Sequence, residues 1–131
     1  MKRWLRKLLG NKGEQYAANF LKGLGYRILD EQVETAFGEI DLIARDKHTI
    51  VFVEVKTRRN IRAGIPEEAV TGQKQQHMTK SALSWLKRHR ALDQSARFDV
   101  ISILWEDDRR EPEIRHIINA FPPTGTGSMY A

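Results

Sequence analysis

Apolar residues return at helical spacing at Ala17, Phe20, Leu21 and Leu24. Residues three and four apart share one face of a helix, so this run predicts a helix beginning near Asn11. Asn11 can cap it, and Gly25 can end it in a left-handed turn. The pattern then becomes extended from Tyr26 to Val33. Gly38 opens a second strand, Glu39 to Arg45, and Asp46, Lys47 and His48 make a turn. Thr49 to Thr57 is rich in Val and Ile and reads as a strand buried on much of both faces, hairpinned to the one before it. Thr71 is suited to cap a long helix from Gly72 to Arg90, with Met78, Ala82, Trp85 and Leu86 on its inner stripe. Arg97 to Trp105 and Glu113 to Asn119 read as two further strands. The order is helix, three strands, helix, two strands, which predicts one α/β domain with a mixed central sheet flanked by helices.

The chain of 131 residues suits a single domain with a real core. Residues 11 to 121 carry the periodic pattern. Residues 1 to 10 read as a basic lead-in, and residues 122 to 131, rich in Pro, Gly, Thr and Ser, as a flexible tail. The absence of cysteine excludes a disulfide framework, a thiolate metal site and a cysteine nucleophile. A net charge of +5 favours polyanions as partners. No apolar run approaches the roughly 20 residues of a membrane span, so integral membrane association is not expected and a cytoplasmic location is the default. The lead-in, with Lys2, Arg3, Arg6 and Lys7 around Trp4 and Leu5, equally suits an anionic membrane surface, contact with DNA or a mobile segment.

Candidate chemistry lies in the hairpin. Side chains alternate across a strand, so Ile50, Phe52, Glu54 and Lys56 share one face. A carboxylate and an ammonium thus occupy the most apolar strand of the chain. An unpaired buried charge is costly, so an ion pair, a cleft or a metal ion must compensate. Asp41, on the neighbouring strand, can be brought close by the turn. Two carboxylates and a lysine at one place in a sheet suit phosphodiester hydrolysis with Mg²⁺ or Mn²⁺ as cofactor. Carboxylate oxygens bind such ions, and the lysine can steady phosphate charge or position water. The alternative is a structural ion pair of Lys56 with Glu54 or Asp41.

Asp41 followed by Glu54-Val55-Lys56 resembles the core of the PD-(D/E)xK nuclease superfamily, which implies a restriction-endonuclease-like domain. More closely, Gly38-Glu39-Ile40-Asp41-Leu42-Ile43-Ala44, Val51-Phe52-Val53-Glu54-Val55-Lys56-Thr57-Arg58 and Arg97-Phe98-Asp99-Val100-Ile101 resemble the YraN family of uncharacterised bacterial proteins, as does Gly13-Glu14. Ile40 stands where the superfamily name has proline. A wider similarity to archaeal Holliday-junction resolvases implies branched DNA as a candidate substrate.

The resemblance implies Asp41 and Glu54 as metal ligands, with the Val55 carbonyl as a further candidate, and Lys56 as the catalytic cation. It also implies Glu14 as an accessory ligand; the spacing Asn11-x-x-Glu14 equally suits a capping box. Glu39 shares a face with Asp41 and is read as meeting solvent near the strand's start, with a supplementary place at the site as the alternative. Gln73 and Lys74 open the long helix, where the resemblance places a polar residue that reaches the site or a phosphate; an ordinary solvated turn is the alternative. Arg58, Arg59 and Arg62 after Lys56, with Lys80, Lys87, Arg88 and Arg90, form a candidate phosphate-binding rim. Asp99 is read as structural, and no histidine is assigned a catalytic role. The expected function is therefore metal-dependent cleavage of nucleic acid, DNA in preference to RNA, with a homodimer as a candidate assembly. A nucleic-acid-binding module of the same fold with little chemistry is the rival.

Overall fold

A computed structural model describes residues 3–59, 70–106 and 111–124, with the backbone alone for residues 3–10. Helix α1 spans Arg3–Gly23, and strands β1 (Arg27–Thr35), β2 (Gly38–Asp46) and β3 (Thr49–Arg58) follow. Helix α2 is Gly72–Arg88, and the chain closes with β4 (Ser95–Leu104) and β5 (Glu113–Phe121). The five strands form one sheet in sequential order. All neighbours are antiparallel except β3 and β4, which run parallel because α2 crosses between them. The mixed α/β architecture expected from the sequence is the one observed. No described helix is long and apolar enough to cross a membrane.

Strand alternation divides the core between the two faces of the sheet. Ile43, Ile50, Phe52, Phe98 and Val100 pack with Met78, Ala82, Trp85 and Leu86 of α2. On the opposite face Leu42, Ala44, Val51, Val53 and Ile101 pack with Ala17, Ala18 and Leu21 of α1. Thr71 caps α2, its hydroxyl accepting from the Lys74 amide at 3.3 Å.

Helix α1 departs from the sequence reading at both ends. It begins at Arg3, so Asn11 is interior and caps nothing, and the helix runs through most of the basic lead-in. Leu24 is exposed, because the chain has already turned. Gly25, at φ +94°, takes the left-handed conformation, and the Tyr26 and Gly25 amides bond back to the Leu21 and Lys22 carbonyls. This pattern satisfies the last carbonyls of the helix. Of the tail, Thr124 is held by a bond from its amide to Thr79 Oγ1 at 3.1 Å. The flexibility expected of the remaining tail lies outside the described residues.

One local irregularity positions the chemistry. Residues two apart on a strand share a face, yet Ile40 packs on the α2 side and Leu42 on the α1 side. Alternation therefore breaks at Asp41. The pairing of β2 with β3 starts only at Leu42 opposite Val53, so the two strands part at that level.

Candidate metal and phosphate site

Asp41 occupies the fork between β2 and β3. Its Oδ2 accepts a hydrogen bond from the Val55 amide at 2.8 Å. A side-chain oxygen thus caps β3 where the backbone ladder has ended. This satisfies a donor that the fork would otherwise orphan.

Glu54 lies on the α2 face and is 4% exposed. Its Oε1 meets Lys56 Nζ at 3.2 Å and Lys74 Nζ at 3.6 Å. Its Oε2 is buried with no hydrogen-bond partner among the described residues. Lys56 stands two residues along the same strand face. Lys74 comes from the first turn of α2, which the Thr71 cap aims at the sheet.

Helix α1 approaches from the other side. Gly13 lies against Thr57 so closely that an added Cβ would collide with the threonine hydroxyl. That close approach sets the next residue, Glu14, beside the fork. Oxygens of Glu14, Glu39 and Asp41 all lie within 4.8 Å of one another. Glu39 remains exposed, as expected, but it is also part of this group.

The carboxyls are electrostatically strained. Burial, then the charge of Glu54, pushes Asp41 from 3.8 up to about 8, against the opposing bond from Val55. Burial also raises Glu14, against the opposing hydrogen bond from Gln32. A cation placed among these oxygens would favour the ionised carboxyls that burial disfavours. The donor set is all oxygen, one buried oxygen of Glu54 has no hydrogen-bond donor among the described residues, and the charge of Glu54 disfavours ionisation of Asp41. Glu14, Glu39 and Asp41, whose oxygens gather within 4.8 Å of one another, therefore have the chemistry to hold a hard divalent ion such as Mg²⁺ or Mn²⁺, with Glu54 acting on Asp41 through its charge.

The other expected site residues fall differently. Val55 contributes its amide to Asp41, and its side chain packs toward α1. Lys74 reaches Glu54, whereas Gln73 is exposed and takes no part in the described bonds around Glu54 and Asp41. Arg58 and Arg59 follow Lys56 at the end of β3, Arg58 paired with Leu104 in register. Arg62 lies outside the described residues. Asp99 is structural as expected: it is fully buried and accepts from Arg97 at 3.0 Å, His116 at 2.8 Å and the Asn119 amide at 2.9 Å.

Gln32 was not anticipated. It donates to Glu14 Oε2 at 2.9 Å and also to Asn11. The capping-box reading of Asn11 and Glu14 is thereby replaced: both side chains turn to β1 instead. The only sequence signal was a polar residue inside an extended run.

Similar chains carry the same family description. A UPF0102 protein of Geotalea daltonii is 52% identical over 115 residues, covering 88% of this chain and 90% of its own length. One from Geobacter sulfurreducens is 51% identical over 116 residues, covering 88% and 89%. One from Syntrophomonas wolfei is 46% identical over 117 residues, covering 89% of this chain and all of its own length. The model of the uncharacterised protein family UPF0102 matches residues 13–103, a span that contains Glu14, Asp41, Glu54 and Lys56. The chain belongs to the UPF0102 family, the YraN family that its motifs resemble.

Proposed function

We propose that this protein is a metal-dependent nuclease that hydrolyses phosphodiester bonds, in DNA rather than RNA. The observation that carries the reading is the buried Oε2 of Glu54, without a donor among the described residues, beside an Asp41 whose carboxyl is pushed up to about 8. A fold gains nothing by gathering carboxylates in and beside its core unless something offsets their repulsion, and perturbed carboxyls gathered together are characteristic of functional sites.

Asp41 and Glu54 would hold the ion, with Glu14 as an accessory ligand and the Val55 carbonyl as a further candidate. A divalent ion bound there supplies positive charge for the phosphoryl oxygens and for the attacking water. Lys56 adds a compact cation 3.2 Å from Glu54, where it steadies charge developing on the phosphate. Lys74, at a helix N-terminus, adds a second cation and the favourable end of a helix dipole. Arg58 and Arg59 continue the positive edge toward the strand end. The net charge of +5 supports a polyanionic substrate. Branched DNA is the substrate form that the resolvase likeness favours.

The test is cleavage of a labelled panel containing linear duplex, four-way junction, flap, single-stranded DNA and RNA, with Mg²⁺, Mn²⁺ or EDTA. Cleavage that needs the metal and is lost in Asp41→Asn and in Glu54→Gln is expected. Tight binding without any metal-dependent cleavage would instead make the protein a binding module of this fold.

A further inference from the structure

Gln32 occupies an unusual place in an otherwise extended strand. Its φ is +48°, in the left-handed region that side chains other than Gly, Asn and Asp rarely adopt. In the β1–β2 ladder Glu31 faces Leu42 and Val33 faces Ile40. Gln32 is therefore level with Asp41, and the backbone of β1 is irregular at the same level as the break in β2. Val33 packs toward α2, whereas Gln32 turns its side chain to α1, where its amide nitrogen donates to both Glu14 and Asn11. Asn11 and Glu14 are neighbours on one helix face, one turn apart.

Each N–H of the Gln32 amide is thus committed to a side chain of α1. Gln32 thus holds Glu14 Oε2, and carboxyl oxygens of Glu14 and Asp41 lie within 4.8 Å of each other. A neutral donor suits this task. A lysine in its place would neutralise the negative charge that attracts a cation, and an apolar residue would leave the carboxylate free to rotate toward solvent. Gln32, Glu14 and Asn11 also line one open groove of about 530 Å³ between α1 and β1, so solvent has access to compete for Glu14. Non-glycine residues in strained backbone persist where the surroundings hold them, and they gather at functional sites.

We infer that Gln32 is a positioning residue: its side-chain amide locks the Glu14 carboxylate toward Asp41, so that Glu14 completes the cation site. This rests on the metal-site reading above. Outer partners that orient metal ligands commonly contribute about 10–100-fold to metal affinity or activity.

The discriminating variant is Gln32→Gly, because glycine adopts the left-handed backbone freely and removes only the amide. Mn²⁺ titration by calorimetry, thermal melts without metal, and the double variant Gln32→Gly with Glu14→Gln form the experiment. Expected are an unchanged or higher melting temperature and Mn²⁺ affinity lower by about 10–100-fold. The double variant should bind no more weakly than Glu14→Gln alone, since Gln32 acts through Glu14. A lowered melting temperature with Mn²⁺ affinity per folded molecule unchanged would make Gln32 only a tie between β1 and α1. Losses that simply add in the double variant would equally overturn the inference. If the unsubstituted protein binds no Mn²⁺, the metal-site reading itself fails. If it binds Mn²⁺ and Gln32→Gly binds it as tightly, the inference about Gln32 alone fails.

Discussion

Among the described residues Glu54 is held from one side: two ammonium groups share its Oε1, and its Oε2 has no donor. The arrangement decides between two roles for Lys56. As a purely structural partner of a buried carboxylate, its loss would cost about 3–5 kcal/mol. Lys74 remains on the same oxygen, however, and the Lys56 side chain is 32% exposed, so solvent screens much of that cost. Lys56→Ala is therefore expected to fold with only a modest drop in melting temperature. Its cleavage rate should fall on the order of a hundredfold or more while nucleic-acid affinity is largely kept, because the lysine acts on charge that develops in the transition state. Lys56→Arg should recover little, since a planar guanidinium does not place one compact charge. Single-turnover cleavage beside thermal melts checks this. A collapse in melting temperature with cleavage per folded molecule intact would make Lys56 a structural ion-pair partner.

At the scale of elements, the site depends on how closely α1 sits on β3. Gly13 faces Thr57, and a Cβ there meets the hydroxyl of a β-branched side chain with little rotamer freedom. Gly13→Ala should destabilise the fold by about 1–3 kcal/mol through overpacking. It should also displace Glu14 and weaken Mn²⁺ binding. Adding Thr57→Ala removes the obstructing hydroxyl and should restore both, so a double-mutant cycle in melts and calorimetry measures the coupling between the two positions. Losses that add, with no rescue, would place the Gly13 effect elsewhere. Much of this arrangement is legible in the chain itself. Strand alternation places Glu54 and Lys56 on one face, and the Thr49–Thr57 run, the Thr71 cap and the Gly25 turn are all local patterns of burial and turn chemistry. The start of α1 is not legible, because Trp4, Leu5, Leu8 and Leu9 interleave with basic residues and no cap marks Arg3. Leu24 has the spacing of a fourth apolar helix position but falls where the helix turns back on itself. The alternation break at Asp41 and the left-handed Gln32 are invisible for a different reason. Both are backbone irregularities imposed by how β1, β2 and α1 meet, and neither involves the glycine or asparagine that usually announces one. Glu14 is a candidate on its spacing and resemblance, but its partner Gln32 is eighteen residues distant in sequence, beyond the reach of any helical or strand period.

For the whole molecule, substrate charge and site charge work through different variables. Arg58→Ser with Arg59→Ser should weaken duplex binding and reduce the log–log salt slope by about 0.9 for each phosphate that is no longer neutralised. An unchanged slope in a filter-binding or anisotropy series would move the binding surface away from the end of β3. The carboxyl cluster acts instead on stability as a function of pH. Asp41 ionises near 3.8 in the unfolded chain and near 8 in the folded one. Between those values the folded protein holds a proton that the unfolded chain has released. Its contribution to stability is complete below 3.8, declines as pH rises and is gone above about 8, with a limiting slope of about 1.4 kcal/mol per pH unit for one proton. Glu14, also raised by burial, acts in the same direction. Asp99 acts in the opposite one: its carboxyl is held below the ordinary value by His116, Arg97 and Asn119 against the cost of burial, so its contribution is lost only as pH falls into the acid range. Metal-free protein should therefore melt at progressively lower temperature across the window from 3.8 to about 8. A divalent ion competes with the same proton, so it binds more tightly as pH rises and stabilises in proportion to the logarithm of its saturation. Saturating Mn²⁺ should thus raise the melting temperature little at the acid end of the window and most near its alkaline end. Asp41→Asn removes the titrating group, which should flatten the metal-free profile and abolish most of the Mn²⁺ effect at every pH. A Mn²⁺ shift that is equal at both ends of the window, or that survives Asp41→Asn, would mean the ion binds away from the fork between β2 and β3.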